Sequence, residues 1–125
     1  MPSIKRSEKE LKSLYEDFHK HPEIGFQENR TSAIVAKKLN DYGADLIDIG
    51  LGKTGVVGIV EGRFPGNRCV ALRADMDALP IKETSGVAFT SETPGVMHAC
   101  GHDAHTTMLL GAAKYLAETR EFAGR

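Results

Sequence analysis

A chain of 125 residues is long enough for one domain with a hydrophobic core and too short for two ordinary domains. Hydrophobic residues make up 41% of the chain and charged residues 26%, which is typical of a soluble globular protein. The formal net charge of −1 provides no basic surface for nucleic acid and no polybasic patch for an anionic membrane. The N-terminus leads into a charged helical pattern without an apolar segment, so we expect no signal peptide and no membrane span.

The two cysteines lie in different sequence settings. Cys69 lies within an apolar run typical of a strand, whereas Cys100 lies in a polar cluster. We therefore predict one buried thiol and one functional thiol, without a disulfide, in a protein of the reducing cytoplasm.

An amphipathic helix is predicted near the start of the chain. Ser7 and Glu10 have the spacing of a capping box, and apolar residues at helical spacing then predict a helix over residues 7–20. The helix should end at His21, because the residue before a proline is driven out of the helical region. We interpret His19 and His21 as exposed residues near the helix end rather than as metal ligands.

A second helix and a first strand follow. Asn29 or Thr31 can begin a helix that runs to about Tyr42, and Gly43 is suited to the left-handed residue that ends it. Residues 46–49 are a candidate strand.

Two further β-rich runs are predicted in the middle of the chain. The glycines of residues 50–55 form a strand connection, because they lack the motif of a phosphate loop. Residues 55–61 form a second strand, and residues 63–67 form a turn. Residues 69–72 have little polar alternation, which predicts a strand buried on both faces that pairs antiparallel with residues 55–61.

Two carboxylates follow directly after this buried run. Asp75 and Asp77 would be costly at the end of a buried strand unless something paired with them. The carboxyl ends of strands in open α/β sheets are also where ligands bind. Arg73 is the nearest partner if no metal ion is present.

The last third of the chain consists of a long loop and a helix. Residues 81–99 have no periodicity, and a loop of this length in a small domain is more often functional than idle. It connects the acidic strand end to a helix predicted over about residues 104–120, which Asp103 or the nearby backbone can cap. The apolar stripe predicted to face the core comprises Met108, Leu109, Ala112, Ala113 and Leu116.

A cluster of potential metal ligands precedes this helix. Three histidines, one cysteine and one aspartate lie within residues 98–105. Cys100 and His102 can point the same way if the segment is extended, and thiolate and imidazole are both good ligands for zinc, manganese or cobalt ions. A lone cysteine is more often a small buried hydrophobe, but the density of the cluster favours a metal site.

Three segments together resemble a known family. Residues 21–26, 72–80 and 97–103 resemble, in order and spacing, the start of the M20 metallopeptidase/amidohydrolase family. The similarity is to its hippurate hydrolase, N-acyl-amino-acid amidohydrolase and indole-acetyl-amino-acid hydrolase branch. The resemblance implies an α/β fold, a zinc-peptidase-like α/β/α three-layer sandwich. It also implies that residues 1–125 are the N-terminal part of a truncated catalytic domain, without the inserted dimerisation domain and the C-terminal half.

The resemblance also implies a function. Members of the family use two divalent ions, here Mn²⁺ or Zn²⁺ with Co²⁺ or Ni²⁺ as further candidates, to cleave the amide bond of N-acyl amino acids. Cys100 and His102 match metal ligands, Asp75 matches the catalytic aspartate, and Asp77 would orient a ligand or line the metal pocket. The full-length enzyme would be a homodimer that acts on a small molecule. The general-base glutamate and the other ligands of the family come later in its chains, so we expect this chain alone to bind metal weakly and to hydrolyse little.

Two other interpretations remain open. Asp75 and Asp77 also resemble the acidic pair of magnesium-dependent phosphatases, although that pattern has Thr or Val where Leu79 stands and does not explain Cys100 and His102. Alternatively, the chain is a non-catalytic folded remnant whose metal motif is unused.

Overall fold

Three helices and one β-hairpin make up the regular structure of residues 2–125. A computed structural model describes residues 2–125, with side chains from residue 5 onward. No helix in this part of the chain is long and apolar enough to cross a membrane. The elements in chain order are α1 (Pro2–Lys20), α2 (Asn29–Tyr42), β1 (Leu46–Leu51), β2 (Gly55–Ile59) and α3 (His102–Thr119).

The first helix is confirmed, but its predicted start is wrong. α1 begins at Pro2, so Ser7 is a buried residue within the helix and forms no capping box with Glu10. The helix can extend this far because proline is tolerated in a first turn, where no intrahelical bond from its nitrogen is needed. The helix ends at Lys20, as predicted, because the next residue, His21, precedes a proline.

The second helix has the predicted bounds and an unpredicted cap. Gly43 adopts a left-handed conformation (φ 86°) and ends α2. At the other end, neither Asn29 nor Thr31 caps the helix through its own side chain. The carboxylate of Glu23, in the preceding loop, accepts hydrogen bonds from the amides of Arg30 (2.9 Å) and Thr31 (2.7 Å). A residue outside the helix therefore satisfies its first-turn donors.

The hairpin packs one face on α2. β1 and β2 pair antiparallel across the glycine-rich residues 50–54, which confirms that these glycines form a strand connection. Ile47 and Val56 lie against the core, and the side chain of Leu39 packs directly over Gly58. A Cβ at Gly58 would lie 3.0 Å from the Leu39 side chain, so the hairpin packs closely on α2 at this glycine.

The predicted strand at residues 69–72 is wrong. These residues form no strand, Val70 is 74% exposed, and the thiol of Cys69 is exposed rather than buried. The predicted antiparallel pairing with residues 55–61 is also wrong, because the partner of β2 is β1. An apolar run becomes a buried strand only where other strands flank it, and within residues 2–125 none does.

Residues 62–70 instead lie beside the last residues of the chain. A parallel bridge joins Phe64 to Ala123, and the amide of Val70 donates to the carbonyl of Arg125 (2.9 Å). The left-handed Arg120 (φ 52°) ends α3 and turns the chain towards this contact. Neither cysteine of the described residues forms a disulfide, as predicted.

The hydrophobic core lies where the three helices meet. α3 begins two residues earlier than predicted, and its core face is shifted from the predicted stripe, since Met108 is 63% exposed while Leu110 and Ala117 are buried. Packing against α1 and α2 selects which apolar residues of α3 are covered, and the apolar pattern alone left that choice open. The central core residues are Leu14, Phe18, Val35, Leu39 and Leu110.

Candidate metal centre

The acidic segment is held between two distant parts of the chain. Ala78 forms a parallel bridge with Ile24, and its amide donates to the carbonyl of Glu23 (2.8 Å). Leu79 forms an antiparallel bridge with Met97, with both hydrogen bonds at 3.0 Å. These bridges place the acidic segment directly beside the residues that lead into α3.

As a result, His102 lies against both predicted carboxylates. Its Nδ1 atom is 2.9 Å from Oδ1 and 2.9 Å from the backbone oxygen of Asp77. Its Nε2 atom is 3.6 Å from Oδ2 of Asp75. Both neighbours of Nδ1 are acceptors, so Nδ1 carries a hydrogen, and in the neutral ring Nε2 then presents its lone pair on the side of Asp75. A histidine that binds a metal ion through Nε2 requires this tautomer.

Asp75 has two further contacts. Nη1 of Arg73 lies 2.5 Å from its Oδ1, as expected for the nearest cationic partner. The hydroxyl of Thr106, in α3, donates to the backbone oxygen of Asp75 (2.9 Å). The Arg73 side chain is largely exposed, so the ion pair contributes only about 0–1 kcal/mol and leaves the carboxylate available to a stronger partner.

Cys100 does not have the predicted extended geometry. It lies in an exposed turn, and Gly101 (φ 78°) adopts a left-handed conformation before α3 begins at His102. Strand-like alternation therefore does not orient Cys100 and His102. Within residues 2–125, no group of three or more His, Cys, Asp or Glu side chains is arranged to hold a metal ion.

A buried histidine lies behind this site. His98 is 4% exposed, and within the described residues neither of its ring nitrogens has a hydrogen-bond partner. Burial lowers the pKa of His98, and the charge of Asp103 opposes that change. A neutral imidazole whose nitrogens have no hydrogen-bond partner is available to bind a ligand. The charge of His102 also lowers the pKa of His98, so His98 lies near the site and, like His102, is of a residue type that transition metals bind, although it is not arranged with Cys100 and His102 as a third ligand.

The interpretation of His19 as an exposed residue is wrong. His19 is buried, with Nδ1 2.6 Å from Oδ2 of Asp103 and Nε2 3.0 Å from Oε1 of Glu83. Neither partner could be found from sequence, because they lie 84 and 64 residues away. His21 is only partly exposed and its Nδ1 contacts the carbonyl of Asp17 (2.8 Å).

Of the two predicted caps of α3, Asp103 and the nearby backbone, the structure shows the second. The N-cap of α3 is Gly101, and Asp103 is a buried residue of the first turn. Its negative charge interacts favourably with the N-terminal end of the helix dipole. His105 is exposed, and its ring lies 5.4 Å from that of His102.

Sequence comparison supports the resemblance to a known family. Residues 71–125 match the sequence model of Peptidase family M20/M25/M40. The chain is 44% identical over 117 residues to the hippurate hydrolase of Campylobacter jejuni, a match that covers 94% of this chain and 30% of the relative. It is 50% identical over 103 residues to the N-acyl-L-amino acid amidohydrolase of Geobacillus stearothermophilus, with coverage of 82% and 27%.

A solved structure shows the same fold. The crystal structure of the Bacillus subtilis YXEP protein, a dinuclear metal binding peptidase from the M20 family, superimposes with a TM-score of 0.87 at 39% identity. In sequence and in fold, the chain is similar to the M20 peptidases. The match covers 94% of this chain but 32% of YXEP, so the chain spans about a third or less of each of these three relatives.

These similarities confirm the predicted resemblance and the α/β fold class. The family is one of hydrolases, and the relatives above are an amidohydrolase, a hippurate hydrolase and a peptidase. The individual roles of Asp75, Asp77, Cys100 and His102 stay predictions. The structure brings three of these four side chains into contact and leaves Cys100 exposed two residues before His102.

Proposed function

We propose that this chain contributes one side of a metal centre that cleaves the amide bond of N-acyl amino acids. The observation that carries the proposal is the orientation of His102, whose Nδ1 is held by Asp77 while its Nε2 is directed towards Asp75. A carboxylate that fixes the second nitrogen is typical of histidines that bind metal ions. In this proposal residues 1–125 are the N-terminal part of a catalytic domain, and further ligands come from other residues of the complete protein.

The residues have distinct proposed roles. His102 binds through Nε2, and Asp77 keeps that nitrogen unprotonated and correctly aimed. Cys100 binds as a thiolate, so its thiol has to lose a proton before it becomes a ligand. Asp75 is the catalytic carboxylate, because it lies on the lone-pair side of His102, where it can hold or move a proton of the reacting groups.

The donor set indicates which ions fit. A thiolate and imidazoles favour Zn²⁺, Co²⁺ or Ni²⁺ over Mg²⁺ and Ca²⁺, and neighbouring carboxylates also accommodate Mn²⁺. Two such ions, when bound, would polarise the amide carbonyl and activate water for attack. We propose Zn²⁺ or Mn²⁺ as the working ions, with Co²⁺ and Ni²⁺ as substitutes. With only Cys100 and His102 as ligands, the chain alone should bind these ions weakly and show little or no hydrolysis.

The relatives and the surface guide the remaining proposals. The names of the hippurate hydrolase and the N-acyl-L-amino acid amidohydrolase support a small N-acyl amino acid as substrate. The exposed free thiols fit a reducing cytoplasm. We also propose that the complete enzyme forms a homodimer. The phosphatase alternative is less favourable, because Asp77 is engaged by His102 and the chain is similar to a peptidase family.

Isothermal titration with Zn²⁺ and Mn²⁺ tests the proposal. The wild-type chain should bind weakly, and Cys100→Ala and His102→Ala should each reduce the affinity further. Cys69→Ala is the matched control, because it also removes an exposed thiol, but one outside the ligand cluster of residues 98–105. Metal binding that is unchanged in Cys100→Ala would favour the folded remnant over the metal centre. Hydrolysis of N-acyl amino acids is measured in parallel, and full turnover by the 125-residue chain would contradict its proposed inactivity.

A further inference from the structure

His19 lies at the centre of a buried polar cluster that the proposed chemistry does not use. Its side chain is 8% exposed, and its two ring nitrogens contact the carboxylates of Asp103 (2.6 Å) and Glu83 (3.0 Å). These carboxylates are themselves 2% and 5% exposed. An imidazole with an acceptor on both sides has to donate from both nitrogens, so His19 is an imidazolium shared by two anions.

The energetics favour this charged arrangement. Burial lowers the pKa of His19, but hydrogen bonds to Glu83 and Asp103 outweigh burial, and the pKa is raised overall. Burial raises the pKa of Glu83, whereas hydrogen bonds from Ser85, Ser91 and His19 together lower it to about 2. Removing the cation would leave two buried carboxylates without their shared partner, which is strongly unfavourable.

The cluster connects three elements around the candidate metal centre. His19 lies in the last turn of α1, Asp103 follows His102 directly in the first turn of α3, and Glu83 lies at the start of the loop over residues 81–99. That loop follows the segment that carries Asp75 and Asp77. His19 therefore contacts the elements that present both halves of the site.

Further contacts fix the loop to the end of α1. The ring of Phe89 packs edge-on against His19, with centroids 5.3 Å apart, and against Tyr15 at 5.6 Å. The amide of Glu92 donates to the carbonyl of Lys20 (2.7 Å). With the loop anchored at these points, the hydrogen bonds of His19 join this loop to the first turn of α3.

We propose that His19 is a positioning residue for the metal centre, which holds the first turn of α3 through Asp103 so that the ring of His102 stays against Asp77. This inference rests on the proposed function of His102 as a ligand. A positioning role differs from a purely structural role in two ways. It predicts a change in the His102 ring itself, and it predicts that this change depends on whether the hydrogen bond of Nδ1 or that of Nε2 of His19 is lost.

Two conservative variants separate the two arms of the cluster, which are the hydrogen bonds of His19 to Asp103 and to Glu83. The amide of His19→Asn can replace Nδ1 and retain the hydrogen bond to Asp103, whereas that of His19→Gln can replace Nε2 and retain the one to Glu83. Glu10→Gln is the control, because Glu10 joins α1 to α3 through Lys114 (2.7 Å) at another part of the interface. It reports the effect of a weakened α1–α3 contact without a change at His19.

The first measurement needs no metal ion. Long-range ¹H–¹⁵N correlation spectra at neutral pH report the tautomer of His102, which in the wild type should carry its hydrogen on Nδ1. His19→Gln should give a mixed tautomer, whereas His19→Asn and Glu10→Gln should retain the wild-type pattern. A wild-type tautomer of His102 in folded His19→Gln would overturn the inference. If His19→Gln does not fold, an altered tautomer in His19→Asn would overturn it as well, because that variant keeps the Asp103 arm.

The second measurement is a Co²⁺ titration followed by thiolate-to-cobalt absorption from Cys100. His19→Gln should bind Co²⁺ about 10- to 100-fold more weakly than wild type, which is the typical loss when a residue that orients a metal ligand is replaced. An equal loss in Glu10→Gln would show that helix packing alone matters and would overturn the inference. If the wild type shows no cobalt–thiolate absorption, the proposed function fails, and the His102 tautomer still decides the role of His19.

Discussion

Glu10→Gln should destabilise the protein, because Glu10 joins all three helices. From α1, its Oε1 atom accepts hydrogen bonds from Lys38 (2.8 Å) and Tyr42 (2.9 Å) of α2. Its Oε2 atom accepts one from Lys114 of α3 (2.7 Å). A glutamine side chain removes the charge that balances two ammonium groups and replaces one acceptor oxygen with a donor.

The pKa of Glu10 indicates the size of the effect. Hydrogen bonds from Lys114 and then Lys38, against an opposing effect of burial, lower the pKa from 4.5 to about 2. That difference corresponds to about 3 kcal/mol of stabilisation as an upper limit. The side chain is 30% exposed, and solvent screens its ion pairs. We therefore expect Glu10→Gln to lower the free energy of unfolding by about 1–2 kcal/mol at pH 7.

Urea unfolding at several pH values tests this prediction. Because the folded-state pKa lies below the unfolded value, the stabilisation is complete above pH 4.5 and is lost as the pH falls towards about 2. The difference between wild type and variant should shrink over that range. Glu16→Gln is the matched control, since Glu16 lies on the same helix with only a 3.9 Å contact to Lys12. Equal effects of the two variants at pH 7, or a difference that does not change between pH 6 and pH 2.5, would refute the reasoning.

Three further predictions follow from the site and the caps. Gly43→Ala should cost about 1 kcal/mol in urea unfolding, because its φ of 86° strains any residue with a Cβ, and an unchanged midpoint would contradict this. Asp77→Asn should weaken Zn²⁺ binding about 10-fold in calorimetry, because His102 would be less well oriented. An unchanged affinity would contradict this prediction. Cys69 and Cys100 should both react with a disulfide reagent in the native protein, and Zn²⁺ should slow only Cys100; protection of both thiols would contradict the assignment.

The candidate site was only partly predictable. The residue types and their order indicated that Asp75, Asp77 and His102 meet, and the family resemblance that they carry is confirmed. The orientation of Cys100 was not predictable from alternation, because the left-handed Gly101 breaks the extended segment. The burial of His19 was not predictable from sequence either, because both of its carboxylate partners come from distant segments.

Local sequence determined the elements whose hydrogen bonds join nearby residues. The helix that ends at Gly43 and the hairpin across residues 50–54 are where their patterns predicted, since the turn and cap geometries depend on neighbouring residues. Tertiary structure decided which apolar and polar groups are covered. Residues 69–72 are as apolar as a buried strand and yet exposed, whereas His19 is polar and buried. The reason is physical: an apolar pattern expresses a preference for burial, but only the packing of distant segments supplies the surface or the ion pair that makes burial favourable.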